Sequence, residues 1–325
     1  MSSQYQLLRT GRLAPLFATQ FFGAFNDNIF RAALMLIFTY SGIVASEMTD
    51  FSVNAAAGLF IVPFFIFSAT AGQIADKYEK SKLIRIIKIC EIGIAFVAGV
   101  ALYFHNVLAM LSVLFLFGLQ STFFGPLKFA ILPQHLEESE LVGGNAIVEM
   151  GTFVAILLGT VVGGIIGAGE SVSAWLFVLV VAVALVGYAS SRFIPDAPAN
   201  DPSETIRWNP VTETWALIKL ARGQTSVFLS ILGVSWFWLL GSVYLTQIPN
   251  LVRTHLAGGP SVVTLILAVF TISIAAGSLM CERLSGRKIE IGLVPFAAFG
   301  VSVFGIDSYF AMIAISGDAL RDAWT

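Results

Sequence analysis

Gly72-Gln73-Ile74-Ala75-Asp76-Lys77-Tyr78-Glu79-Lys80-Ser81-Lys82 closes one long apolar run of this chain. A weaker copy, Gly277-Ser278-Leu279-Met280-Cys281-Glu282-Arg283-Leu284-Ser285-Gly286-Arg287-Lys288, closes another six apolar runs later. In both a glycine ends the apolar segment, an acid is followed at once by a base, and a basic cluster follows; the second copy has one extra residue between glycine and acid. A chain that repeats such a loop after six hydrophobic segments is built from two related halves, a recognised transporter architecture.

Working outward from these loops, a membrane-crossing helix needs about 20 predominantly apolar residues. Nine runs qualify: 13–40, 52–75, 83–104, 107–132, 141–168, 172–194, 225–251, 260–281 and 291–314. The composition demands a bilayer, because 57% of residues are hydrophobic and only 12% charged, against about 25% charged in soluble domains. A soluble fold of this length has nowhere to hide that much apolar surface, so the sequence predicts an all-α, multi-pass membrane protein. Arg9 and Arg12 precede the first run, which carries Asn26, Asp27, Asn28 and Arg31. That run is too long and too polar for a cleavable signal segment and reads as a permanent span. The longest polar stretch, 195–224, holds Pro195, Pro198, Pro202 and Pro210. It divides the chain into a six-helix half (1–195), a cytoplasmic linker (196–224) and an incomplete second half (225–325).

Basic residues orient the spans. With the N-terminus inside, Arg9, Arg12, the cluster from Lys77 to Lys88, Lys128, the linker bases and Arg283 to Lys288 all fall on the inner side. Of the 18 Lys and Arg residues only Arg31, Arg253 and Arg321 fall elsewhere, which is the positive-inside asymmetry. The remaining chemistry is sparse. Cys90 and Cys281 lie in or beside spans and predict no disulfide, and the three histidines have no metal-ligand spacing. No cofactor is implied. An intramembrane acyltransferase needs a His–Asp pair; Glu137, Glu138 and Glu140 follow His135, but in a loop, and the enzyme reading is set aside.

The most informative stretch is Gly23-Ala24-Phe25-Asn26-Asp27-Asn28-Ile29-Phe30-Arg31. A charge at mid-bilayer costs about 2.5–3.5 kcal/mol on insertion scales. Asp27 and Arg31, four apart, share a helical face and are placed either to pair as a packing salt bridge or to face a polar path. The density of polar groups favours the path. Lys128, after Gly125-Pro126, either reaches into the bundle or snorkels to headgroups. Glu149 needs a partner, and Lys128 on the preceding span is the candidate. Gly159, Gly163 and Gly167, at four-residue spacing, form a small-residue face for close helix approach.

The loop at 72–82 resembles the signature loop of the major facilitator superfamily, G-x-x-A-D-R-x-G-R-[RK]. That resemblance implies twelve spans as six plus six, so nine make this chain a fragment lacking about three C-terminal helices. Within that superfamily, Phe25-Asn26-Asp27-Asn28, Gly72-Gln73-Ile74-Ala75-Asp76, Pro126-Leu127-Lys128-Phe129-Ala130-Ile131-Leu132 and Ala155-Ile156-Leu157-Leu158-Gly159 resemble motifs of the bacterial lysophospholipid transporters, some of which are fused to an acyltransferase. The resemblance runs from residue 20 to about 165 and is weak beyond 200. It implies movement of lysophospholipid across the bacterial inner membrane for reacylation, with membrane lipids and a fused or associated acyltransferase as partners and no nucleic acid. Asn26, Asp27, Arg31, Lys128 and Glu149 would line the headgroup path. The family's basic residue on span seven is missing here, and Tyr244 and Gln247 are the nearest polar substitutes. Gly72, Asp76, Lys77, Lys80, Glu282 and Arg283 would form the inward-side conformational latch. The competing reading is a proton-coupled exporter of a drug or metabolite, with Asp27 or Glu149 as the proton site.

Overall fold

The computed structural model describes residues 4–40, 43–167, 172–254, 256, 260–286, 288 and 290–314, and among them there is no strand. The described residues form nine long helices in order: α1 (Ala14–Tyr40), α2 (Thr49–Lys77), α3 (Lys80–Tyr103), α4 (Val107–Ala130), α5 (Leu141–Gly167), α6 (Val172–Ser191), α7 (Thr225–Thr254), α8 (Pro260–Leu284) and α9 (Leu293–Ala314). Short helices at Leu132–His135 and Pro210–Arg222 lie between them. Eight of the nine are long and apolar enough to cross a membrane; in α7 the described apolar stretch is Thr225–Gly241.

The apolar runs located every one of these helices but missed some ends. The third run was expected to start at 83, yet α3 starts at Lys80. The carboxylate of Glu79 accepts the N–H groups of Ser81 and Lys82 at 3.0 and 2.8 Å, an N-cap that lets the helix begin inside its own charged turn. At the far end of α3, a three-residue connection turns the chain into α4. His105 takes φ 49° there, and Asn106 caps α4 through Ala109 N–H at 2.9 Å.

The chain forms two compact units, Met1–Leu217 and Ile218–Thr325. In the first, α1 is the central helix: it lies along α5 and α6 and touches α2 and α4. On the flanks α2 lies along α4, and α3 along α4 and α6. In the second unit, α7 packs with α8, and Tyr244 of α7 brings its hydroxyl to Gly305 of α9.

The tightest packing has a backbone cause. A Cβ at Gly159 would stand 2.6 Å from the Phe25 carbonyl oxygen, and one at Gly163 would stand 2.3 Å from that of Ile29. At Gly167 it would meet Ala33 Cα at 2.9 Å. The glycine face of α5 therefore rests directly on the α1 backbone, as the four-residue spacing anticipated. Gly118 of α4 does the same against the Phe60 carbonyl of α2, at 2.1 Å. Between lipid-embedded helices such van der Waals approach takes the place of a hydrophobic driving force. Cys90 and Cys281 are free and exposed.

Gly163→Ala sets a side chain against backbone that cannot rotate away, so α1 and α5 must part; overpacking of this kind costs about 1–3 kcal/mol. Gly164→Ala, whose Cβ meets nothing within 4 Å, is the matched control. Melting of the purified proteins in one detergent should show a clear drop for Gly163→Ala and none for Gly164→Ala.

Candidate functional site

Asn26, Asp27 and Asn28 are buried, at 0%, 4% and 6% exposure. Successive residues of a helix turn by about 100°, so the three side chains fan out to different neighbours. Asn26 Nδ2 donates to Glu91 Oε1 of α3 at 3.0 Å. Asp27 accepts from Gln120 Nε2 of α4 at 3.1 Å and from the Ser121 hydroxyl. Asn28 stays on its own helix, donating to the Ala24 carbonyl at 2.7 Å and accepting from Arg31 Nη2 at 2.7 Å. The Arg31 guanidinium lies 5.4 Å from the ring centroid of Phe60 in α2. The Asp27–Arg31 ion pair offered by the four-residue spacing is thus not made. Two donors from α4 occupy the carboxylate, and Asn28, one residue closer, takes the arginine.

Lys88, counted above with the bases of the cytoplasmic segments, is buried within α3. Its Nζ lies 2.6 Å from Glu91 Oε2, both side chains are 1% exposed, and the pair occupies the body of α3. The ammonium also sits 5.0 Å from the ring centroid of Phe124. Gly23 of α1 makes room for it, since a Cβ there would fall 2.3 Å from Nζ. The run of bases before Lys88 disguised it as loop charge, and Glu91 drew no notice. The available signal was their i, i+3 spacing inside an apolar run, where charges need a partner. Removing one member of a buried pair costs about 3–5 kcal/mol, whereas replacing both by apolar residues is often neutral.

Lys128 reaches α5, with Nζ 3.4 Å from Thr152 Oγ1 and 4.6 Å from the Phe129 ring centroid. Thr152 Oγ1 in turn lies 2.9 Å from Gln20 Oε1 of α1. The expected Lys128–Glu149 ion pair is not formed. Glu149 is half-buried, and its side chain makes no hydrogen bond or ion pair among the described residues. The lysine leans to the threonine one turn further along α5 instead. Tyr244 belongs to the second unit, and the Gln247 side chain lies outside the described residues.

The signature loop is bound by the linker. Asp76 Oδ1 accepts from Asn200 Nδ2 at 2.8 Å, and the Asp76 carbonyl accepts Asp201 N–H at 3.0 Å. Lys80 Nζ, fully buried, donates to the Pro198 carbonyl at 2.8 Å and to Asn200 Oδ1 at 2.9 Å. Gln134 Nε2 shares that Asn200 oxygen at 2.9 Å. Further along, Gln73 accepts Arg207 N–H at 2.9 Å and donates to Glu213 Oε2 at 2.7 Å. Lys77 stands 5.9 Å from the Tyr78 ring centroid. Gly72 has open space where a Cβ would be. In the second unit Glu282 is buried and Arg283 exposed. Asn200, a hub for residues from three elements, was not legible beforehand. A short polar side chain in a proline-rich segment carries no mark of what it will meet.

The pattern of the Major Facilitator Superfamily matches residues 16–319. The chain is 29% identical over 234 residues to "Lysophospholipid transporter LplT" of Salmonella schwarzengrund (strain CVM19633), covering 71% of this chain and 54% of that protein. The proteins of the same name from Salmonella newport (strain SL254) and Salmonella typhimurium (strain LT2) are 28% identical with the same coverage. The chain therefore spans about half the length of the curated relatives it matches.

Two measurements follow from the linker contacts. Asn200→Ala removes side-chain partners of Asp76, Lys80 and Gln134 together, and limited proteolysis should cut the segment 194–213 markedly faster. The second concerns acid. Burial opposes the charge on Glu79, yet hydrogen bonds from the Ser81 hydroxyl and from the N–H groups of Ala197, Lys82 and Ser81 outweigh it and hold the carboxyl below the usual range. A carboxylate with a lowered folded-state pKa contributes stability above its unfolded value and loses it as pH falls through the folded one. Linker protection should accordingly persist through the ordinary glutamate range and fail at more acid pH. Glu79→Gln should remove that part of the dependence.

Proposed function

The chain belongs to the Major Facilitator Superfamily, and on that premise we propose that it carries the N-terminal half and part of the C-terminal half of a lysophospholipid transporter of the bacterial inner membrane. What carries this reading is the similarity, over 71% of the chain, to proteins named lysophospholipid transporters. The polar turn of α1 adds physical support. A zwitterionic headgroup crossing a bilayer needs both an anion and hydrogen-bonding groups at depth, and buried ionisable residues in a span are functional candidates by default. Asn26, Asp27, Arg31, Lys128, Glu149, Tyr244 and Gln247 are assigned to the substrate path. Within it Asp27 takes the ammonium end of the headgroup, and Lys128, with Thr152 and Gln20 behind it, takes the phosphate.

Transport proceeds by alternating access, with 1–195 and 225–325 as the moving halves and 196–224 as the cytoplasmic linker. The charge clusters at the inner ends of α2 and α8 (Gly72, Asp76, Lys77 and Lys80; Glu282 and Arg283) latch one state. The N-terminus is cytoplasmic, and the product feeds reacylation by a fused or associated acyltransferase.

The test is uptake of labelled lysophosphatidylethanolamine into spheroplasts of a strain lacking its own uptake system and expressing the unsubstituted parent protein. Asp27→Asn and Lys128→Ala should each abolish uptake at equal membrane abundance. Uptake indifferent to both changes would keep the cargo and remove the site. No uptake from a well-expressed parent would favour the proton-coupled exporter.

A further inference from the structure

One buried ion pair, Lys88–Glu91, has no part in that scheme. It lies on α3, which the path residues leave out, yet it touches α1 at the residue beside Asp27. Glu91 divides its two oxygens: Oε2 holds Lys88 at 2.6 Å and Oε1 holds Asn26 Nδ2 at 3.0 Å. Gly23, one turn before Asn26, is the place where the ammonium lies against α1. Two successive turns of α1 are thus keyed to α3 by one charged pair, through a hydrogen bond and a steric notch. Asp27, rotated by about 100° from Asn26, meets Gln120 and Ser121 of α4 in consequence.

We propose that Lys88 and Glu91 are positioning residues for transport: through Asn26 and Gly23 they fix the rotation of α1 that delivers the Asp27 carboxylate to its site beside α4. The chemistry favours a pair over a single polar group. A carboxylate accepts with two oxygens in a fixed plane, and the lysine both neutralises it and fills the notch at Gly23. Asn26 employs only its donor toward Glu91, and its Oδ1 has no partner among the described residues. The amide is therefore free to report the position of the pair without being locked elsewhere. α5 also bonds to α1, through Gln20 Nε2 to the Val148 carbonyl at 3.2 Å and Thr152 Oγ1 to Gln20 Oε1 at 2.9 Å, but these lie about two turns before Asp27, and beside the polar turn the glycine face of α5 meets α1 backbone atoms. The role rests on the transport reading for its activity measurement, so the experiment includes an arm without substrate.

That arm carries Asp27→Cys and Ser121→Cys in the parent protein, with Cys90 and Cys281 changed to serine, and measures the rate of disulfide formation under mild oxidant. The comparison adds Lys88→Met with Glu91→Leu, which removes the pair as a unit, and separately the exchanged pair Lys88→Glu with Glu91→Lys. A structural role alone predicts unchanged melting and an unchanged cross-linking rate in the apolar variant, since buried pairs are often replaceable in this way. The positioning role predicts slower cross-linking by roughly tenfold or more, the scale on which supporting partners act on the groups they orient. The exchanged pair should recover much of the rate, because a lysine at 91 can donate to the unpartnered Asn26 oxygen.

In the uptake assay, with Asp27 and Ser121 intact, the apolar variant should lose Vmax in the same proportion while melting where the parent does. An unchanged cross-linking rate overturns the proposal whatever the cargo. So does a fall accompanied by an equal loss of melting temperature in both variants, which would trace the slower cross-linking to a general loosening of the fold. A parent that cross-links as expected but takes up no lysolipid would overturn the substrate assignment and leave the positioning role standing.

Discussion

Polar side chains in the middle of a lipid-embedded helix have no water to turn to, and α1 carries four of them within little more than one turn. Much of the first unit is arranged to supply their partners from neighbouring helices. Because the residues are consecutive, no single neighbour can serve them all: α3 takes Asn26, α4 takes Asp27, and the ring of Phe60 on α2 lies beside Arg31. α1 must therefore be central, and α5 lies directly on its backbone where Gly159, Gly163 and Gly167 carry no side chain. The glycine face and the polar turn are two sides of one requirement: a helix surrounded on every side by others.

Electrostatics and packing support each other in this arrangement. The Lys88 ammonium is accommodated because Gly23 has no side chain, and its charge is tolerable because Glu91 lies in contact and an aromatic face lies nearby. At the end of the bundle where α2 meets α3 the same logic operates with neutral partners. Asn200 offers both a donor and an acceptor, so one amide satisfies Asp76 and Lys80 together and orders the start of the linker against the signature loop. The loop that identifies the superfamily in sequence is thus, within this half, a docking site for the segment that follows the sixth span.

Much of the architecture was legible beforehand. The bilayer imposes a length and an apolarity on each span, and these are properties of contiguous residues. All nine helices, the loop repeat and the α5 glycine spacing follow from reading along the chain. Helix ends were less legible, as at α3, because a cap such as Glu79 extends a helix into residues that hydropathy assigns to a loop.

The buried polar groups were legible as residues and illegible as pairs. Asn26, Asp27 and Arg31 declare themselves by being polar in an apolar run, but the i, i+4 geometry suggested an Asp27–Arg31 bond that α4 pre-empts, and Lys128 was matched with Glu149 where Thr152 stands nearer. Lys88 was misplaced because a base following other bases looks like loop. The sequence by itself determined the solvent, the spans, their repeat and the kinds of group buried among them, since each depends on composition over one or two dozen neighbouring residues. Only the tertiary structure decided which helix meets which polar group. That choice turns on rotation about each helix axis, where about 100° separates one residue from the next, and no local signal sets the angle.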